Sequence, residues 1–382
     1  MLDTKKVKEL IGMMNSMSNS SIPAQKPIIE MFNLAMDEKM LDYLIAMNTK
    51  QYTLDDLKQL YFDLYGNNED EWNAHLEELK LMSFIHPVSH EDRHLYELSP
   101  IFPGWVEFYT SGPANEKRRA ILEKFMEFWV ILKKLNVLPM RQLNDYKGEK
   151  KIKDRRPPIF SIQVNTKEVT LNHELSSRQE VYTKGDVLEI LARNKDEIAV
   201  GNCFCRSHKK YSEGSLCDLD IPTQSCMVLG ALADQLIHNG VARKLSYEEA
   251  IDLVEEFEEK GCIHTAYHYK NDVNYEEIVI CNCCKDCCLM YKTHLEGGIS
   301  KLYTRAFYKP EVLDLSKCVG CNLCGKYCPT EATYYNKELK KLEFNYSNCI
   351  GCGQCVNQCK FDVRIMVKDE RDVFVKTRKK VL

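Results

Sequence analysis

Eight cysteines near the C-terminus fall into two copies of one pattern. The first run is Cys318-Val-Gly-Cys321-Asn-Leu-Cys324-Gly-Lys-Tyr-Cys328 and the second is Cys349-Ile-Gly-Cys352-Gly-Gln-Cys355-Val-Asn-Gln-Cys359. Both read C-x2-C-x2-C-x3-C, and the copies are offset by 31 residues at all four positions. Three cysteines at this spacing turn their sulfurs inward from one loop, which is how a short peptide wraps a cubane iron–sulfur cluster. The fourth lies too far along to close on the same cluster and ligates the other. Zinc sites favour separated C-x2-C pairs over a doubled eight-cysteine repeat.

These runs resemble the bacterial two-cluster ferredoxin, over roughly residues 312–366. The resemblance implies two [4Fe-4S] clusters, one held by Cys318, Cys321, Cys324 and Cys359, the other by Cys349, Cys352, Cys355 and Cys328. One departure is visible: Pro329 follows the first run, whereas Lys360 follows the second. That loses a rigid turn and no ligand. Gly320, Gly325, Gly351 and Gly353 let the backbone approach the sulfides.

The remaining chain sets the context. Its 382 residues suggest two to four domains. A net charge of −4 gives no general pull toward nucleic acid or acidic membranes. No run of eighteen apolar residues is present, so no membrane span is expected. The start, Met1-Leu-Asp-Thr-Lys-Lys-Val-Lys, lacks an apolar signal core. Eighteen cysteines in such a chain are read as thiolate ligands rather than disulfides. Oxygen destroys exposed clusters, so the expected setting is the cytoplasm of an anaerobe.

The expected class is α+β and multidomain. Residues 1–26 read as an N-terminal arm with a short helix from Lys5 to Met17. Residues 27–110 read as three helices and a hairpin, an order that resembles a winged-helix domain. Ile28, Phe32, Ala35 and Met36, followed by Met40, Leu41, Leu44 and Ile45, supply the first helix. Thr53 with Asp56 caps the second, and Trp72, Leu76 and Leu79 space the third. Phe84–His86 and Leu95–Leu98 are the hairpin strands. Residues 111–158 hold a long helix, Asn115 to Leu135, with Phe125, Phe128, Trp129 and Leu132 on its buried face. A linker from Lys147 to Pro158 follows, with six basic and two acidic residues. It is a solvated connection or a docking strip for an acidic partner.

Residues 159–304 form a Cys-rich α/β segment, and residues 305–382 form the dicluster domain. In the middle segment Ile159–Val164, Ile198–Val200 and Ile278–Ile280 read as strands. Asp186–Asn194, Ser225–His238 and a helix capped by Ser246 with Glu249 read as helices.

The middle segment carries ten more cysteines. Cys203 and Cys205 follow one strand, and Cys281, Cys283, Cys284, Cys287 and Cys288 follow another. Cys217 and Cys226 lie in a loop long enough to reach them. If Cys226 opens a helix, the dipole favours its thiolate. Cys283 with Cys287, and Cys284 with Cys288, share a face if that peptide coils. Five thiols in eight residues call for metal, so one or two further iron–sulfur clusters are expected there, with zinc as the alternative. Cys262 stands alone and reads as a small buried hydrophobe. Arg206 and His264 are candidates for the surroundings of a cluster; His208 and His268 are weaker ones. The arrangement looks like a group of anaerobe iron–sulfur-binding proteins with a winged-helix-like start and a terminal dicluster domain.

Electron transfer is therefore the expected function, with single electrons passing among a protein partner, the terminal clusters and the middle segment. No G-x-G-x-x-G follows a strand, and no phosphate-binding loop is present, so electrons are expected to come from a protein. A homo-oligomer or a complex subunit is the expected assembly. The alternatives are a reductase acting at a middle cluster and a winged-helix redox sensor. Charge speaks against DNA binding. Residues 30–99 hold fifteen acidic and five basic residues, and the third helix, Glu69–Lys80, holds five acids and one lysine. Such a surface repels phosphate.

Overall fold

A computed structural model describes residues 1–17, 22–90, 93–134, 159–162, 184–212, 214–268, 277–289, 306, 308–346 and 348–369. In chain order, α1 is Thr4–Met17, α2 Lys26–Ala35, α3 Glu38–Met47, α4 Leu54–Tyr65 and α5 Glu69–Leu81. Strands β1 (Ile85–His90) and β2 (Arg93–Leu98) precede α6 (Val106–Thr110) and α7 (Glu116–Lys134). Next come β3 (Ile159–Ile162), α8 (Lys184–Arg193), β4 (Ile198–Asn202), α9 (Phe204–Ser212), β5 (Gln224–Leu229), α10 (Ala231–His238), β6 (Ala242–Lys244) and α11 (Tyr247–Glu259). Strands β7 (Ile263–His268), β8 (Glu277–Cys283) and β9 (Tyr308–Val312) lead to α12 (Leu323–Tyr327), β10 (Thr333–Asn336), β11 (Lys341–Phe344), α13 (Gln354–Asn357) and β12 (Arg364–Lys368). The basic linker lies outside the described residues. Among the described residues no helix is long and apolar enough to cross a membrane.

The chain forms two compact units that do not follow its order. The first holds residues 1–155, 199–208 and 228–244; the second holds 156–198, 209–227 and 245–382.

In the first unit, α1 is a packed helix. Its Val7, Leu10, Ile11, Met14 and Met17 are buried, and it lies on α3. The stripes at Ile28 and Met40 belong to two helices rather than one. Asp37 breaks them, because its carboxylate accepts the Met40 N–H at 2.8 Å and starts α3. Thr53 and Asp56 close a reciprocal capping box on α4. On α5, Trp72, His75 and Leu79 are buried. Strands β1 and β2 pair antiparallel from Ile85↔Leu98 to His90↔Arg93. The core centres on Trp105, whose ring meets Phe32 at 4.8 Å and Phe84 at 5.1 Å. Helix α7 packs on α2 through buried Phe125, Phe128 and Trp129. Gln235 of α10 donates to the Ile85 carbonyl at 2.9 Å, and β4 pairs antiparallel with β6.

In the second unit, β7 runs antiparallel to both β3 and β8. Strand β5 neighbours β8. This corrects the helix expected from Ser225. Gln224 to Leu229 extends as a strand whose last three residues are all buried, and only Gly230, at φ 64°, turns the chain into α10. Cys226 therefore lies in a strand, and no helix dipole acts on it. Ser246 and Glu249 cap α11, which ends before Gly261 at φ 101°.

Candidate metal centres

The two C-terminal runs fold alike. Gly320 (φ 71°) and Gly351 (φ 77°) take left-handed conformations at matching places in the repeat. So do Asn322 (φ 60°) and Gly353 (φ 77°), which cap α12 and α13. A side chain rarely adopts this backbone, and Asn tolerates it best after Gly. Strands β9 and β12 pair antiparallel beside these loops, and β10 and β11 form a hairpin.

The first run's last cysteine crosses to the second run. Cys328 packs in one buried group with Ala332 and Cys349. Burial raises the Cys352 thiol well above its ordinary value, and charge at Cys328, Cys355 and Cys349 adds to this. Burial also raises Cys324, with charge at Cys321 and Cys318 adding and Arg364 opposing. Cys328 Sγ accepts the Ala332 N–H at 3.1 Å, and Cys349 Sγ accepts the Gly351 N–H at 3.4 Å. Cys359, at the end of the second run, is half-buried. Enclosed thiols that disfavour one another's ionisation become thiolates when a metal replaces their protons. N–H donors aimed at sulfur suit that state. The residues fit iron–sulfur clusters.

Arg364, which the motif does not single out, lies beside these sulfurs. It is buried, and it donates to the Thr333 hydroxyl at 2.7 Å. Its charge opposes the upward shift that burial imposes on both Cys324 and Cys355.

The five clustered middle cysteines do not act as one coil. Strand β8 runs on through Cys281 and Cys283, so these two share a face at strand spacing. Cys281 hydrogen-bonds to both Cys226 and Cys283, and its thiol is pushed well up by those bonds and by burial. Thr265 Oγ1 stands 3.7 Å from Cys283 Sγ. After Cys283 the chain turns, and the Cys288 N–H bonds to the Cys284 carbonyl at 3.1 Å. Cys284 and Cys287 meet Cys217. These three sulfurs all lie within 4.8 Å of one another, with Cys217 and Cys284 at 3.6 Å. Hydrogen bonds from Cys284 and Cys287 hold the Cys217 thiol far below its ordinary value, while the same sharing pushes Cys287 up.

Cys262 is buried in an apolar cluster, as expected of a small hydrophobe, but other cysteines share that cluster. It is buried in one packing group with Ile221, Phe257, Cys284 and Cys287, against which Cys217 also packs. It lies 19 residues before Cys281, too far for spacing to have revealed it.

A buried ion pair flanks this group. Asp286 accepts two hydrogen bonds from Lys209 Nζ, at 2.6 and 2.7 Å, and the Asp218 N–H at 2.8 Å, while Lys209 Nζ also donates to Asp218 Oδ1 at 3.3 Å. Burial pulls the Lys209 pKa down, but the Asp286 carboxylate outweighs it and the net shift is up.

His264 sits on the other face of the sheet from Cys281 and Cys283. It pairs across strands with Asn282, while Thr265 pairs with Cys281, and side chains alternate between faces. Its Nδ1 lies 2.6 Å from Asn282 Oδ1. Burial lowers its pKa to about 4, so the ring is neutral.

Cys203 and Cys205 belong to the first unit. Between them Phe204 packs on Phe102 and Phe125, at 6.1 and 5.9 Å. The Glu107 carboxyl belongs to the same unit. Burial, with a smaller push from charge at Cys203, raises it to about 8 against the lowering effect of the Gly104 N–H, which bonds Oε2 at 2.8 Å. Arg206 is buried on α9.

Residues 311–360 match the family described as 4Fe-4S dicluster domain. The match spans both cysteine runs up to Lys360 and indicates iron–sulfur electron transfer. No curated protein and no solved structure is significantly similar to the chain.

Proposed function

We propose that this chain is an electron-transfer protein or subunit that carries single electrons between a redox protein partner and metal centres of its own. Two [4Fe-4S] clusters would sit in the C-terminal repeat, on the cysteine sets implied by the ferredoxin resemblance. A further iron–sulfur centre would use middle-segment thiols such as Cys226, Cys281 and Cys283.

The observation that carries this reading is the repeat itself. Two loops with matching left-handed residues bring Cys328 to the sulfurs of Cys349, Cys352 and Cys355. When bound, such clusters supply one-electron redox chemistry. The protein's residues do the rest. They enclose the sulfurs, aim N–H groups at them, and place the Arg364 charge beside both runs. The β1–β2 region with its helices serves better as a protein-docking surface than as a DNA reader, because α5 carries five acids. The test is a redox titration of anaerobically purified full chain, followed by low-temperature paramagnetic resonance. Reversible one-electron signals that disappear in a Cys321→Ser, Cys352→Ser variant support the reading.

A further inference from the structure

The Cys217 group differs in scale from the C-terminal sites. Among the described residues, only Cys217, Cys284 and Cys287 form a set of three whose sulfurs all lie within 4.8 Å of one another. The eight cysteines of the dicluster repeat are all described, and none of their sets is drawn so close. A cubane spreads its thiolates over the outer corners of a four-iron core, so they stand well apart. A single tetrahedral ion does not. With metal–sulfur bonds of about 2.3 Å, tetrahedral geometry sets neighbouring sulfurs about 3.8 Å apart. The Cys217 to Cys284 distance is 3.6 Å.

We propose that Cys217, Cys284 and Cys287, with Cys262 as fourth ligand, bind one zinc ion. Cys262 is 0% exposed and shares the packing group of Cys284 and Cys287, which makes it the thiol placed to supply the fourth ligand. The site is closed, as structural zinc sites are. Zinc binds a given tetrahedral thiolate site more tightly than ferrous iron does. Lys209, whose side chain is 9% exposed, is held on both Asp286 and Asp218, and Asp286 accepts the Asp218 N–H at 2.8 Å, so these bonds pin the Cys217 loop to the turn that carries Cys284 and Cys287.

The ion would join three distant stretches: the loop at Cys217, the turn after α11, and the turn after β8. The turn after α11 is also gripped by the dicluster domain. Gln354 donates to the Cys262 carbonyl at 2.6 Å, and the Tyr327 ring covers Gly261 so closely that a Cβ has no room there. Zinc at this site would fix the seat on which the C-terminal repeat rests.

The full chain, purified anaerobically, is assayed for zinc, iron and acid-labile sulfide beside the Cys217→Ser, Cys284→Ser double variant. The proposal expects one zinc per chain in the wild type, none in the variant, and equal sulfide in both. Loss of sulfide with several irons would mean a cluster and would overturn it. So would loss of iron alone, or equal zinc in both proteins. If the double variant does not fold, zinc-edge X-ray absorption of the wild type decides. A shell of four sulfurs at about 2.3 Å supports the site; a shell of oxygen or nitrogen, or no bound zinc, contradicts it. Cys262→Ser should lose its zinc to a chelator that the wild type withstands; retention would refute the four-cysteine set. The dicluster iron and sulfide are counted separately in the same samples, so failure of the zinc site and failure of the electron-transfer reading remain distinguishable.

Discussion

Arg364 donates a hydrogen bond to the Thr333 hydroxyl across 2.7 Å, in the interior of the dicluster domain. That bond fixes a guanidinium, 4% exposed, beside Cys324 of one run and Cys355 of the other. A buried cation favours whichever redox state carries more negative charge.

Replacing Arg364 with Leu should therefore lower both C-terminal reduction potentials. A unit charge at roughly 8 Å in an effective dielectric of about 20 is worth about 2 kcal/mol, or about 90 mV for one electron. A potentiometric titration followed by paramagnetic resonance reads the shift. Arg364→Lys should retain most of the potential, and unchanged potentials in Arg364→Leu would refute the role.

Gly261 should not tolerate a side chain. Its φ of 101° strains any other residue, and a Cβ would meet the Tyr327 ring. Gly261→Ala should cost about 2–4 kcal/mol. Faster amide exchange at residues 258–262 and 354–358 would locate the damage at this contact. A variant as stable as the wild type would show that the contact is not tight.

Gln354→Leu removes the donor to the Cys262 carbonyl while keeping the volume. A buried acceptor left unpaired costs about 1–3 kcal/mol. Thermal unfolding should register that loss, and a neutral result would mean the carbonyl finds another donor.

His75 gives the first unit a pH dependence. Burial, and then the Lys39 charge, lowers its pKa to about 4. The folded state thus disfavours the charged ring. The stability contribution is complete above the ordinary value of 6.5 and is lost as pH falls from there to about 4. The loss is about 2–3 kcal/mol. All three tryptophans, Trp72, Trp105 and Trp129, lie in this unit, so their fluorescence reports its unfolding. The slope between pH 6.5 and 4 should be shallower in His75→Gln; an equal slope would assign it to other groups.

Much of the local structure is legible in the residues. The capping pairs Thr53–Asp56 and Ser246–Glu249 have side chains that satisfy backbone donors wherever they occur, so their helices start where spacing predicts. The doubled cysteine run is equally local. The misreadings come from longer range. The segment Ser225–Leu229 has no turn residue to separate it from α10 until Gly230, so strand and helix merge by eye. Asp37, Glu38 and Lys39 are a short polar step between two apolar stripes, and only the bond from the Met40 N–H to Asp37 reveals a break. The partition of the middle cysteines depends on strand register and on segments dozens of residues apart. Cys217 meets Cys284 from 67 positions away, and Cys262 joins them from a third stretch. No spacing rule encodes such meetings. Arg364 is silent in the sequence for the same reason, since a lone arginine in a strand gains its meaning from what packs around it.

Electron transfer on two clusters of the C-terminal repeat is the function we propose. The most direct test counts iron and sulfide in the anaerobic full chain and follows its reduction by low-temperature paramagnetic resonance. About eight irons and eight sulfides should be lost on mutating the repeat cysteines, with two interacting clusters that each take one electron reversibly. Zinc at Cys318–Cys359, or iron there that cannot be reduced and reoxidised, would contradict it.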